Sequence, residues 1–156
     1  MDPAPDSDFP KTEDEAYRAF VDSLSYLPAD DIARIESAYA FAAEAHAHQK
    51  RLSGEAYITH PLAVAEAVVE WRMDAEAVMA ALLHDVLEDT RVSKKELEER
   101  FGSELSDLVD GLSKLDKIEF ASYREAQAEN FRKMLMAMAR DVRIVLIKLA
   151  DRRHNI

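Results

Sequence analysis

Apolar residues recur along this chain at three- and four-residue spacing, and no stretch shows the apolar–polar alternation of a half-buried strand. A short first helix is predicted around Glu13 to Leu27. Pro28 and the Asp30–Asp31 pair open a second, in which Ile32, Ile35, Ala38, Tyr39 and Ala42 share one face, running to about His48. Residues 49–60 form the longest irregular connection, where Gly54 permits a turn. Pro61 suits the first turn of a third helix, with Thr59 or His60 as its cap. Asp74 caps a fourth, strongly apolar helix holding Val78, Leu82, Leu83, Val86 and Leu87. Ser93 with Glu96 forms a capping-box pattern for a fifth, which Gly102 stops. A sixth runs from about Ser103 to Leu115. Ser122 with Glu125 opens a seventh to about Arg140, and Asp141 caps a last helix from Val142 onward. No internal repeat interrupts the pattern. The expected fold is all-α, a bundle of about seven to eight helices.

Composition sharpens this reading. With 156 residues, 48% of them hydrophobic, the chain can build one real core without a disulfide or metal staple. Three of its five prolines fall at Pro3, Pro5 and Pro10, so residues 1–11 read as a flexible acidic tail and 12–156 as the domain. The net charge of −11 is uneven, because residues 1–31 carry nine acids against Lys11 and Arg18. No basic field is present for nucleic acid or an anionic membrane surface, and neither is expected as a partner. Cysteine is absent, which excludes disulfides, thiol nucleophiles and cysteine metal sites. Three scattered glycines exclude a P-loop or dinucleotide fingerprint. No apolar run approaches transmembrane length, and the proline-rich acidic start is unlike a signal or transit peptide, so a cytoplasmic location is the default.

Histidines locate the chemistry. His84-Asp85 lies in the strongly apolar fourth helix, with Glu88-Asp89 one turn later; His84/Glu88 and Asp85/Asp89 are i, i+4 pairs on one sector. His60 precedes the rigid Pro61. Lys148-Leu-Ala-Asp151-Arg-Arg-His154-Asn155 ends an otherwise apolar helix, with Asp151 and Asn155 again i, i+4. Two imidazoles and two carboxylates from separate helices suit a divalent metal with positions left for water. Mn²⁺, Fe²⁺, Zn²⁺ and Mg²⁺ all remain open on residue types alone.

The order His60 … His84-Asp85 … Asp151 resembles the HD-domain metal-dependent phosphohydrolases. The flanking text is more specific. Arg51-Leu-Ser-Gly-Glu-Ala-Tyr-Ile-Thr-His60-Pro61, Ala80-Ala-Leu-Leu-His84-Asp85-Val-Leu-Glu88-Asp89-Thr90, Gly111-Leu-Ser-Lys-Leu-Asp-Lys117, Ala128-Glu-Asn-Phe-Arg-Lys-Met134 and the Lys148–Asn155 run resemble, over roughly residues 30–156, the N-terminal hydrolase domain of the RelA/SpoT homologues, which make and degrade the alarmone (p)ppGpp. The resemblance is greatest to the SpoT-like bifunctional branch.

That resemblance implies an activity, hydrolysis of the 3′-pyrophosphate of (p)ppGpp in stringent-response alarmone degradation. It also implies roles: His60, His84, Asp85 and Asp151 as Mn²⁺ ligands, and Glu88 and Asp89 as the acids that activate and orient the attacking water. Arg51 and Ser53 would hold the guanosine nucleotide, Asn155 would contact it, and Lys148 would face its phosphates. Ala56 stands where the family commonly has proline, and Leu52 where many relatives are basic or polar. The His-Asp and Glu-Asp motifs are whole, as a competent hydrolase requires. The chain ends one residue after Asn155, where the family continues, so it reads as a truncated piece whose parent adds synthetase and regulatory domains. Two alternatives stay in view: an HD phosphohydrolase for another nucleotide, and a non-catalytic regulatory fragment.

Overall fold

The computed structural model describes residues 13–47, 58–116, 132 and 141–155. The tail at 1–11, the connection at 49–57 and the expected helix at 122–140 lie outside the described residues, apart from Arg132, which is helical. Among the described residues every regular element is helical: α1 (Glu13–Asp22), a 3-10 turn (Ser23–Tyr26), α2 (Ala29–Ala45), α3 (Thr59–Glu70), α4 (Ala75–Leu83), α5 (Val86–Asp89), α6 (Lys94–Phe101), α7 (Ser103–Asp116) and α8 (Val142–Asn155). The all-α expectation holds.

α4 is the axis of the bundle. Every residue in it except Glu76 is buried, and α2, α3, α7 and α8 pack around it. A helix apolar on all sides is stable only when enclosed in this way. Asp74 caps it as expected, its side chain accepting the Ala77 N–H at 3.2 Å. Ser93 likewise accepts the Glu96 N–H at 3.1 Å, Gly102 ends α6 at φ +95°, and Asp141 accepts the Arg143 N–H at 3.0 Å to open α8.

Two local expectations need correction. Neither Thr59 nor His60 caps α3. Ile58 holds the cap position in helical conformation (φ −58°, ψ −20°) and its carbonyl takes the Leu62 N–H, so Thr59 and His60 are the first two helical residues. The fourth helix does not continue through Val86 and Leu87. It stops at Leu83, turns through His84–Asp85 and restarts as α5. The His84 Nδ1–H donates to the Ala81 carbonyl at 2.7 Å, the carbonyl that a further helical N–H would otherwise use.

α3 ends without a glycine. Arg72 takes φ +55°, its N–H bonding the Val69 carbonyl and the Met73 N–H the Val68 carbonyl, a left-handed C-terminal cap. The corner sends α4 back antiparallel to α3, so His60 and His84 meet at the far end with ring centroids 5.2 Å apart. α8 runs parallel to α4. Arg143 near its start pairs with Asp74 at 2.7 Å, and Asp151 near its end reaches both histidines. Where α7 crosses α8, Gly111 makes room for Ile144, whose Cδ1 would lie 2.5 Å from a Cβ there.

Candidate functional site

Three helix ends therefore deliver three side chains to one place. His60 comes from the first turn of α3, His84 from the residue after α4, and Asp151 from near the end of α8; all three are buried. Their ligand atoms all lie within 4.8 Å of one another. His60 Nε2 is 2.7 Å from Asp151 Oδ1, and His84 Nε2 is 3.3 Å from the same oxygen. Asp85 Oδ2 also approaches His84 Nε2, at 3.1 Å. Donors about 2.1 Å from a shared ion lie about 3.0–3.4 Å apart at right or tetrahedral angles; the 3.1 and 3.3 Å spacings at His84 fall in that range, and His60 and Asp151, at 2.7 Å, stand at hydrogen-bond distance.

The electrostatics agree. Burial opposes a charge on His84, yet Asp151 and Asp85 outweigh it and push its pKa up to about 10. Burial alone would raise Asp151, but His60, His84 and Lys148 hold it well below the usual carboxylate range. His84 Nε2 sits between two carboxylates, but neither oxygen is aligned to form a hydrogen bond with it. With Nδ1 committed to Ala81, that nitrogen is aimed at the common centre. The place calls for positive charge and leaves His84 Nε2 without an aligned hydrogen-bond partner, a condition a divalent cation satisfies. His60, His84 and Asp151 can hold such an ion, with Asp85 at its border.

The other candidates fall in different surroundings. Glu88 and Asp89 sit exposed on α5, beyond the break after Leu83. Lys148 is occupied within the cluster, its Nζ 3.0 Å from Asp151 Oδ2. Arg51 and Ser53 lie outside the described residues, as does the side chain of Asn155, which is the last residue of α8. Sequence reasoning passed over Ser113. It is buried on α7, and its hydroxyl donates to Glu88 Oε1 at 2.9 Å. Its only signal was membership of the Gly111–Lys117 run.

Comparison with known proteins shows the family. The HD domain family matches residues 38–156. The chain is 56% identical over 131 residues to the bifunctional (p)ppGpp synthase/hydrolase SpoT of Escherichia coli (strain K12), a match covering 84% of this chain and 19% of that protein. It is 60% identical over 114 residues to the guanosine-3′,5′-bis(diphosphate) 3′-pyrophosphohydrolase of Haemophilus influenzae, covering 73% of this chain and 17% of the relative. A solved structure of a metazoan ortholog of SpoT that hydrolyzes ppGpp and plays a role in starvation responses superposes with a TM-score of 0.62 at 32% identity, covering 80% of this chain and 67% of that one. The chain belongs to the HD-domain family, in the branch of the RelA/SpoT homologues. It spans under a fifth of the length of these two curated relatives. Among the described residues no helix is long and apolar enough to cross a membrane.

Proposed function

We propose that residues 12–156 form an Mn²⁺-dependent hydrolase domain that cleaves the 3′-pyrophosphate of (p)ppGpp, giving pyrophosphate and GDP or GTP. The observation that carries this reading is the convergence of His60, His84 and Asp151 at a buried point that calls for positive charge, in a chain so similar to SpoT. His60, His84, Asp85 and Asp151 would hold the cation. When bound, it supplies charge neutralisation for the phosphates and Lewis acidity toward water. Glu88 and Asp89, exposed beside this cluster in sequence and unburdened by burial, orient the attacking water and take its proton. Water adds to the phosphorus nearest the ribose as its bond to the 3′ oxygen breaks, and that oxygen is protonated as it leaves.

Arg51, Ser53 and Asn155 hold the guanosine part, and Lys148, already at the cluster's edge, contributes its charge to the phosphates. In a longer parent protein, synthetase and regulatory domains would act on this one, and the fold operates in the cytoplasm without nucleic acid.

The test is direct. Purified chain with Mn²⁺ and ppGpp is expected to release pyrophosphate and GDP in equal amounts, and Asp85→Ala to abolish both metal binding and turnover. Cleavage of other nucleotides with ppGpp spared would assign a different HD phosphohydrolase. No product from a folded, metal-loaded sample would make this chain a non-catalytic fragment.

A further inference from the structure

Glu88 is a charged side chain at the surface of a four-residue helix, where nothing in α5 itself fixes a long flexible rotamer. Across from it, α7 places a buried serine. The Ser113 hydroxyl has one proton to give, and in the middle of a helix it ordinarily goes to the carbonyl one turn back. Here it goes to Glu88 Oε1 at 2.9 Å. Among the described residues this is the polar contact that each of the two side chains makes. It occupies one oxygen of the carboxylate and leaves Oε2 open.

The framework around the contact is firm. Val86 of α5 is wholly buried, and its carbonyl takes the Thr90 hydroxyl at 2.6 Å, which closes the short helix. α7 also packs on α4 and α8, the helices that lead to His84 and Asp151, and Gly111 brings it close to Ile144 of α8. One helix thus registers the carboxylate of α5 against the elements that carry the metal cluster.

We infer that Ser113, buried on α7 and bonded to Glu88 across the α5–α7 contact, is the positioning residue that holds one oxygen of Glu88 so that the other faces the attacking water. The inference rests on the functional reading above. A positioning role predicts a particular pattern. Ser113→Ala lowers kcat at least about tenfold, the size expected for losing a hydrogen bond to a charged group. The KM for ppGpp and the affinity for Mn²⁺ stay as they were, because the serine touches neither. Ser113→Thr, which keeps the hydroxyl, recovers most of the rate.

The decisive comparison is a double-mutant cycle. In a Glu88→Gln background, Ser113→Ala should cost nothing further, since the carboxylate it orients has gone. A merely structural serine would slow both backgrounds by the same factor. The inference is overturned if Ser113→Ala keeps full kcat while Glu88→Gln is slow, or if the two effects multiply. If the wild-type chain with Mn²⁺ releases no pyrophosphate at all, the functional reading fails and takes this inference with it; if it turns over and only the cycle fails, the functional reading stands alone.

Discussion

Loading the cluster with its cation should raise the melting temperature by an amount the architecture sets. His60, His84 and Asp151 come from α3, the end of α4 and α8, and they are separated along the chain by 24 and 67 positions. Unfolding disperses them, so an ion binds the folded state alone and stabilises it by linkage. At a free concentration a hundredfold above Kd, the gain is about 2.7 kcal/mol. A chain of 156 residues has an unfolding entropy of about 0.33 kcal/mol per kelvin. The quotient is a rise of about 8 °C. The existing contacts of Asp151 with His60 and Lys148 do not alter this figure, because their displacement is already contained in the measured Kd. Calorimetric titration with Mn²⁺ would supply Kd, and scanning calorimetry the shift. The single tryptophan, Trp71 at the α3–α4 corner, gives an independent optical signal. His84→Ala carries its own stability cost, so the readout is the difference with and without ion, which should vanish in that variant. Asp85→Ala should lose it too, and Glu88→Gln should keep it. A negligible rise at saturating ion, or an equal rise in His84→Ala, would refute the assignment of this cluster as the metal site.

Further expectations follow from other parts of the molecule. Because Asp151 and Asp85 outweigh burial and push His84 up to about 10, the metal-free imidazole is charged near neutrality, and its contribution to stability is complete below about pH 6.5 and lost as pH rises through about 10. Ligation needs the bare nitrogen, so each ion should expel about one proton at neutral pH, and Kd should fall close to tenfold per pH unit. Titration calorimetry in two buffers of different ionisation heat counts that proton, and a pH-independent affinity from 7 to 9 would contradict it. Arg143 ties α8 to Asp141, Asp74 and Glu104, and Arg143→Met should cost about 1 kcal/mol after allowance for solvent screening. The hydrogen bond from Arg143 holds Asp141 low against the opposing effect of burial, so that stability is present above about pH 4 and fades as pH falls through the lowered value. Urea unfolding should therefore show the gap between wild type and variant closing in acid. Met79, fully buried in α4, should cost about 3 kcal/mol on replacement by alanine, read in the same urea experiment.

Helix boundaries marked by local chemistry are legible in the sequence. Asp74, Ser93 and Asp141 begin helices because each side chain accepts an N–H that the first turn leaves unpaired, and Gly102 ends one because it enters the left-handed region without a Cβ. The histidines that meet Asp151 are visible in the sequence as well, since each stands in or beside an apolar helix and His84 has an acid next to it. Three features are not. The end of α3 depends on a non-glycine residue, Arg72, held left-handed while its guanidinium lies 5.1 Å from the Tyr26 ring, a contact across 46 positions. The entry to α3 depends on Ile58 turning helical ahead of the expected caps, which tertiary packing decides.

The break after Leu83 is the most instructive of these. Val78, Leu82 and Val86 keep a spacing of four straight across it, so the hydrophobic pattern carries no trace of an interruption. Its cause is a side chain folding back: the His84 ring takes the Ala81 carbonyl, and Asp85 settles at φ −97°, ψ −2°. In an unbroken helix His84 and Glu88 would stack on one face and share one environment. Broken, the same residues part company. His84 stays in the interior with Asp151, where low polarisability of the surroundings strengthens the attraction for a cation, and Glu88 moves to the surface, where Ser113 holds it and water can reach it. A metal ligand needs the first environment and a proton acceptor the second, and the turn at His84–Asp85 supplies both within five residues.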